Sequence, residues 1–283
     1  MNTAHTKQSS VYIYYHTDNP RAAQWAKKIG ACLHKHHIPL SPNGVHAHTI
    51  IALGGDGTIL EAARIFQKNH HIILGLNLGS VGFLASVRAE KDFIPQLTKF
   101  FSKKYTITKR MMLSVSVERD KKIVFRSHAL NEVVIQNPLG MSETEVYIEG
   151  HSAQFIRGSG LLVATATGST AFNLSAHGPI VMPDIPCMII TELLDHNMPT
   201  PSMVIHANKH ITIHIKHFRK QGLLANTATT EALDVILSTD GSNIFALKKG
   251  DVIHINRSPR LIRFAELEKN YFLKSIQEKF SFR

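Results

Sequence analysis

The stretch Thr49-Ile50-Ile51-Ala52-Leu53-Gly54-Gly55-Asp56-Gly57-Thr58 decides how this chain reads. Five residues, mostly apolar, run into two glycines, as a buried strand does when it enters a turn. Beyond the turn, Ile59, Leu60, Ala63, Ile65 and Phe66 recur at helical spacing, which predicts a helix over Thr58 to Lys68. Three glycines in four positions let the backbone come close to a ligand, and amides at a helix start can cradle phosphate oxygens. A carboxylate among such amides repels an anion. Asp56 therefore makes chemical sense as an acceptor of a proton from an attacking hydroxyl, or as a metal ligand. The alternative is a tight turn in which Asp56 makes an Asx hydrogen bond. The loop is neither G-x-G-x-x-G nor G-x-x-x-x-G-K-[ST], so a Rossmann dinucleotide site and a P-loop both lose support.

Outward from this loop, Val11 to Tyr15 and Ile72 to Leu76 read as strands. Residues 20–37 read as an amphipathic helix entered through Asn19-Pro20 and stopped by Pro39, and Asp92 to Phe101 as a helix with Pro95 in its first turn. Strands alternating with helices predict a parallel α/β layer. After Arg110 the pattern becomes short β-rich runs: Leu113–Val117, Ile123–Arg126, Glu132–Gln136, Glu145–Ile148, Leu161–Ala164, Asp234–Leu237 and Val252–Ile255. His210, Thr212, His214 and Lys216 alternate with Ile211, Ile213 and Ile215, a strand with one wet face. Helical spacing returns over Tyr271 to Phe282, while residues 1–10 read as a frayed tail. No repeat or clear linker is present.

The chain has 283 residues, 43% hydrophobic and 19% charged, enough for about two domains of ordinary globular composition. Its formal charge of +11 favours a partner or substrate carrying phosphates. The two cysteines, Cys32 and Cys187, form no C-x-x-C pair, and the polar N-terminus has no signal-peptide core. No apolar run is long enough to span a bilayer. These features predict a reducing, cytoplasmic setting. The 18 histidines show no metal-ligand spacing and the Lys and Arg residues no aromatic interleaving, so no metal site is assigned and a nucleic-acid platform fits poorly.

Two further segments carry polar chemistry. Gly158-Ser159-Gly160 followed by Thr165-Ala166-Thr167-Gly168-Ser169-Thr170-Ala171-Phe172 is rich in hydroxyls and small residues, suited to a polar ligand lying on backbone, or to a Ser/Thr turn. Asn131-Glu132 opens an apolar run, where the pair can reach a ligand or cap a strand.

In order and spacing these segments resemble the NAD kinase family. The resemblance runs from GGDGT through Leu76-Asn77-Leu78-Gly79-Ser80-Val81-Gly82-Phe83-Leu84 and Arg110-Met111-Met112-Leu113 to Asn131-Glu132 and Arg157 to Pro183. Weaker echoes follow at Ser238-Thr239-Asp240-Gly241 and over Arg257 to Phe272. The resemblance implies an α/β N-terminal domain and a β-sandwich-like C-terminal domain with the nucleotide between them. Residues 1–108 would carry the GGDG loop, 109–258 the β-rich nucleotide-binding part, and 259–283 a tail returning to the first domain. It implies transfer of the terminal phosphoryl of ATP, with Mg²⁺ or another divalent cation, to the 2′-hydroxyl of the adenosine ribose of NAD. A homodimer or homotetramer is expected, with no nucleic acid or membrane partner. Carried onto this chain, Asp56 is the base, and Gly54, Gly55 and Gly57 form its loop. Asn131, Glu132, Arg157, Ser159, Thr167, Thr170, Ala171, Phe172, Asn173, Leu174 and Ser175 contact the substrates. A lipid or sugar kinase sharing only GGDG, or a non-catalytic basic nucleic-acid-binding protein, are the alternatives.

Four positions depart from the family pattern. Ser159 stands for a usual Asp, Ala166 for a Pro, Phe172 for a Tyr and His177 for a Gly. Ala166 is expected to loosen its turn. The lost carboxylate at position 159 predicts that Ser159→Asp lowers KM for NAD more than it changes kcat; steady-state kinetics check this, and an unchanged KM would reject it.

Overall fold

The computed structural model describes residues 10–67, 70–79, 82–195, 200–225 and 233–280. The expectations placed on residues 1–9, Lys68, Ser80, Val81 and Phe282 lie outside that set. Along the chain run β1 (Val11–Tyr14), α1 (Pro20–Lys35), β2 (Thr49–Gly54), α2 (Asp56–Ile65), β3 (Ile72–Asn77), α3 (Phe93–Phe101), β4 (Thr106–Arg119), β5 (Lys122–Ala129), β6 (Glu132–Gln136), β7 (Ser142–Ile148) and β8 (His151–Thr165). Then follow a 3₁₀ turn (Thr167–Thr170), α4 (Phe172–Ser175), β9 (Cys187–Asp195), β10 (Met203–His206), β11 (Ile211–Phe218), β12 (Ile236–Thr239), β13 (Ser242–Ala246), β14 (Val252–Glu266) and α5 (Tyr271–Phe280).

The chain divides into two compact units, one of Met1–Arg110 with Arg260–Arg283, the other of Met111–Pro259. In the first, β1, β2 and β3 pair in parallel, and Arg263 and Phe264 of β14 add a fourth parallel strand beside β3. Every residue of β2 and β3 is buried, as a parallel strand covered on both faces must be. On one face Ile51, Leu53, Leu74 and Leu76 pack with Ala22, Ile29 and Leu33 of α1 and Phe93, Leu97 and Phe100 of α3. On the other, α2 brings Ile59 so close to Gly75 that a Cβ there would stand 2.7 Å from it. Asn19 caps α1 by accepting from the Ala22 N–H, with Pro20 at the first helical position.

The second unit is antiparallel. Its longest strand, β8, pairs with β7 over its first half, with β6 over its second, and with β9. Beyond β7 lie β11 and β14; beyond β6 lie β12 and β13. The alternation over 210–216 appears as predicted, with Ile211, Ile213 and Ile215 in the core beside Val133, Ile135, Leu161, Val163, Ile253 and Ile255. A second apolar layer, Val134, Leu162, Ala164, Ala166, Cys187 and Ile189, lies on the opposite face, so the end of β8 is buried on both sides. The α/β and β-rich halves expected from the sequence are thus present. Strand β4 is longer than the expected Leu113–Val117, because residues flanking the apolar run continue the strand.

Asp251 is fully buried at the side chain. Arg119 reaches it bidentately, with Nε and Nη2 each 2.8 Å from a carboxylate oxygen, and the Lys248 N–H donates at 2.8 Å. Removing one side of such a pair strands the other. Asp251→Ala is therefore expected to cost about 3 kcal/mol, read as a fall in the denaturant midpoint, against a much smaller loss for an exposed pair such as Lys274–Glu268.

Candidate functional site

In the first unit the site begins where β2 ends. The structure starts α2 at Asp56, two residues before the predicted Thr58, with Gly55 as N-cap. The helix begins early because glycine imposes no side chain of its own and Asp favours the first turn, where the positive end of the helix dipole meets its charge. The Asx turn does not form. Instead the carboxylate accepts from the Phe83 N–H at 2.6 Å and the Leu84 N–H at 3.1 Å. The three glycines separate by role. A Cβ on Gly54 would lie 2.4 Å from Thr58 Oγ1, so that residue is small for packing. Gly55 and Gly57 face open space, ground a ligand can approach. Gly82 is the glycine whose importance local sequence rules missed: a Cβ there would stand 2.1 Å from Asp56 Oδ1.

In the second unit the Asn131–Glu132 pair, Thr167 and the Thr170–Ser175 segment are brought together. The Thr165 N–H donates to the Asn131 carbonyl at 2.8 Å, and Gly168 packs so tightly on it that a Cβ would lie 2.2 Å from that oxygen. Thr167 and Thr170 are buried, Ala171 and Leu174 half-buried, and Phe172 and Ser175 exposed. Asn173 is fully buried; it donates to the carbonyls of Ser169 (3.3 Å) and Pro179 (3.1 Å) and accepts from Thr191 Oγ1 (2.7 Å). Its side chain shapes the segment from within.

Arg157 lies apart from this cluster, half-exposed on β8 and paired with Glu143 of β7 at 3.5 Å. Ser159, also on β8, is half-buried, and its carbonyl accepts from the Asn137 N–H at 2.8 Å. The glycines flanking it answer to neighbouring strands: a Cβ on Gly158 would meet Leu194 O at 2.5 Å, and one on Gly160 would meet Ile135 O at 2.0 Å. Smallness there serves strand packing, which corrects the reading of these glycines as a bed for a ligand. Ala166 takes φ −56°, ψ −35°, a proline-compatible conformation, with its carbonyl accepting from Ser169 Oγ at 2.7 Å.

Asp240 is the residue sequence reasoning left without a role. Asp240-Gly241 is a two-residue hairpin turn with φ +50° and +66°, the conformation for which Asp-Gly is preferred. The Asp240 carboxylate accepts from the N–H groups of Leu130 (2.8 Å), Asn131 (2.7 Å) and Glu132 (3.2 Å), while its own N–H donates to the Glu132 carbonyl at 3.0 Å. Glu132 is buried beside it, and burial first, then the Asp240 charge, pushes its carboxyl up to about 8, opposed by a hydrogen bond from the Phe172 N–H. Glu132 Oε2 has no partner among the described residues. The shift favours the neutral acid, with a proton to donate, at neutral pH. No group of three or more His, Cys, Asp and Glu among the described residues is placed to hold a metal ion, and no helix among them is long and apolar enough to cross a membrane.

Fold and site define a two-unit chain, α/β and β, whose first unit presents one carboxylate at an amide-rich helix start. The family model described as the ATP-NAD kinase N-terminal domain matches residues 15–105, and that described as the ATP-NAD kinase C-terminal domain matches residues 130–267. A protein named NAD kinase from Geobacter metallireducens is 35% identical over 229 residues, covering 80% of this chain and 76% of the relative. One from Natranaerobius thermophilus is 35% identical over 238 residues, covering 83% and 78%. Among solved structures, yeast NADH kinase complexed with NADH aligns at TM-score 0.85 and 21% identity over 99% of this chain and 89% of that one. An NAD kinase from Archaeoglobus fulgidus in complex with ATP aligns at TM-score 0.74 and 24% identity, over 97% and 99%. The chain belongs to the NAD kinase family. The lipid- or sugar-kinase and nucleic-acid-binding alternatives find no support in these matches.

Glu132 also makes a stability prediction. From its ordinary value of 4.5 up to about 8 the folded chain holds a proton that the unfolded chain has released, so this group lowers stability as pH rises through that window. Glu132→Gln removes the titration. Its stability relative to the parent should climb between about pH 5 and about pH 8, by at most about 1.4 kcal/mol per pH unit, in thermal melts across that range. A difference that stays flat would mean that the folded carboxyl is ionised throughout.

Proposed function

We propose that this chain transfers the terminal phosphoryl group of ATP to the 2′-hydroxyl of the adenosine ribose of NAD, giving NADP. The observation that carries the reading is the Asp56 carboxylate, fixed at the start of α2 by two backbone amides in a chain of the NAD kinase family. A ribose hydroxyl is a weak nucleophile at neutral pH. Asp56 accepts its proton as the new oxygen–phosphorus bond forms and the bond to the leaving ADP breaks. The rest of the task is positioning and charge neutralisation. The open amides around Gly55 and Gly57 suit phosphate oxygens. Mg²⁺ enters as part of the ATP substrate, bound to its phosphates.

In this reading Asn131, Glu132, Thr167 and the Thr170–Ser175 segment hold the adenosine part of the nucleotide. Glu132, as a neutral acid, offers a hydrogen bond to an acceptor without repelling phosphates. Phe172 offers an aromatic face, exposed at the start of α4. Arg157 and Ser159 are the outlying contacts. The resemblance further assigns a homodimer or homotetramer, and the two free cysteines suit a reducing, cytoplasmic compartment.

Asp56→Asn keeps the side-chain size and removes the base, and it turns one of the two oxygens that accept from the Phe83 and Leu84 N–H groups into a donor. It is expected to lower kcat for NADP formation by about 100-fold or more while leaving NAD affinity within a few-fold. A coupled NADP assay with calorimetric NAD binding measures both, and near-normal turnover would reject Asp56 as the base. The same assay, run with NAD against NADH and with ATP against polyphosphate, defines acceptor and donor.

A further inference from the structure

The loop that grips Asp56 is itself held from the C-terminal end of the chain, inside the first unit. Tyr271 Oη donates to the Gly82 carbonyl at 3.1 Å, and Ser275 Oγ stands 3.1 Å from the same oxygen. One residue further on, the Phe83 and Leu84 amides point the other way, onto Asp56. Gly82 has no room for a side chain, so the loop meets the carboxylate with its backbone alone. Tyr271 and Ser275 are both buried and sit one helical turn apart on α5, which places both hydroxyls on one face.

Arg88 fixes the turn of α5 that carries those hydroxyls. Its Nη2 donates to the Tyr271 carbonyl and to Ser275 Oγ, each at 2.8 Å, and its Nη1 pairs with Glu278 at 2.6 Å. The guanidinium also lies 4.6 Å from the Tyr271 ring centroid. Because Ser275 Oγ accepts from Arg88, its single proton is left to donate, with Gly82 O at 3.1 Å and the Tyr271 carbonyl at 3.2 Å as the two acceptors in reach. The Phe83 and Phe272 rings meet at 5.7 Å, so the loop is gripped by an apolar contact as well. This arrangement exceeds what anchoring a terminal helix needs. Both buried hydroxyls converge on one carbonyl next to the amides that bind the base.

We propose that α5 is a positioning element for the reaction: Tyr271 and Ser275, oriented by Arg88, set the Gly82–Leu84 backbone and through it the place of the Asp56 carboxylate. The proposal rests on Asp56 being the base. Tyr271 and Ser275 are positioning residues and touch no substrate. Burial pushes the Tyr271 hydroxyl up to about 12, with the Asp56 charge adding to the rise, so it stays a donor throughout the working pH range.

The test uses the full-length chain and the variants Tyr271→Phe, Ser275→Ala, their combination, Ser275→Thr and, as a control on the same helix, the half-exposed Leu273→Ala. Small displacements of a reacting group are costly, so the double variant is expected to lose about 10-fold or more in kcat, with KM for NAD and ATP within about twofold of the parent. Ser275→Thr keeps the hydroxyl and should restore most of the rate lost in Ser275→Ala, and Leu273→Ala should keep the parent kcat. Thermal melts and calorimetric NAD binding accompany each variant. Tyr271→Phe removes a single oxygen and supplies the reading should the double variant fail to fold. Parent-like kcat in the hydroxyl variants, a rise in KM with kcat unchanged, or an equal loss in Leu273→Ala would each overturn the proposal. Asp56→Asn is assayed in parallel. If it is inactive while the hydroxyl variants are normal, the positioning role alone falls; if it turns over normally, the assignment of the base falls and this proposal with it.

Discussion

The contact on which the first unit's chemistry depends is a carboxylate held by main-chain amides. Asp56 receives the Phe83 and Leu84 N–H groups, and nothing but hydrogen on Gly82 Cα allows the approach. Side chains that hold a base can rotate; peptide planes set in a loop cannot without moving the loop. The sequence elements around this contact follow from it. Gly54 is small so that α2 can begin at once after β2, and Gly75 is small so that Ile59 of that helix can sit on β3. Helix α2 is thereby docked with its first residue facing the loop that binds it.

The second unit uses the same device for a different end. There the amides of Leu130, Asn131 and Glu132 converge on Asp240, a carboxylate presented by a hairpin turn. The charge is satisfied by backbone, and its field then acts on the buried Glu132 beside it. Glu132, buried with a single amide and a like charge as neighbour, is driven toward its protonated form. An acid biased toward its neutral form is the product of this pairing. It places a hydrogen-bond donor beside Asp240 without a second negative charge.

Much of this was legible in the chain. Periodicity located the α/β layer, the wet-faced strand over 210–216 and the terminal helix, because each buries one face against a core and so carries a fixed period. The GGDG loop and the Asn131–Glu132 pair stood out because their chemistry is local. What was illegible was non-local. No rule of spacing connects Gly82 to Asp56, Asp240 to Leu130, or Tyr271 to Gly82, since these meet only through the fold. The glycines at 158 and 160 misled for the same reason: the backbone that crowds them comes from strands β9 and β6. No linker was visible either, since the division into units falls inside the continuous strands β4 and β14, whose sequences read as strand on both sides of it.

The departures from the family pattern show what sets the shape of the 165–183 segment. Position 177, usually glycine, holds histidine at φ +61°, and position 166, usually proline, holds alanine in a proline-like conformation. In each case the backbone keeps the geometry of the residue that is missing. A left-handed histidine costs about 1–2 kcal/mol, so something else must impose it. The imposing groups are buried and numerous. Ser169 Oγ donates to the Ala166 carbonyl at 2.7 Å and accepts from the Val181 N–H at 3.1 Å, and Asn173 ties Ser169, Pro179 and Thr191 together. Gly178 remains glycine because a Cβ there would stand 2.1 Å from Asn173 Oδ1. The segment's conformation is therefore written in Ser169 and Asn173, two polar side chains facing inward. Asn173 thus acts on the loop from within, while Phe172 and His177 are the exposed side chains the loop presents.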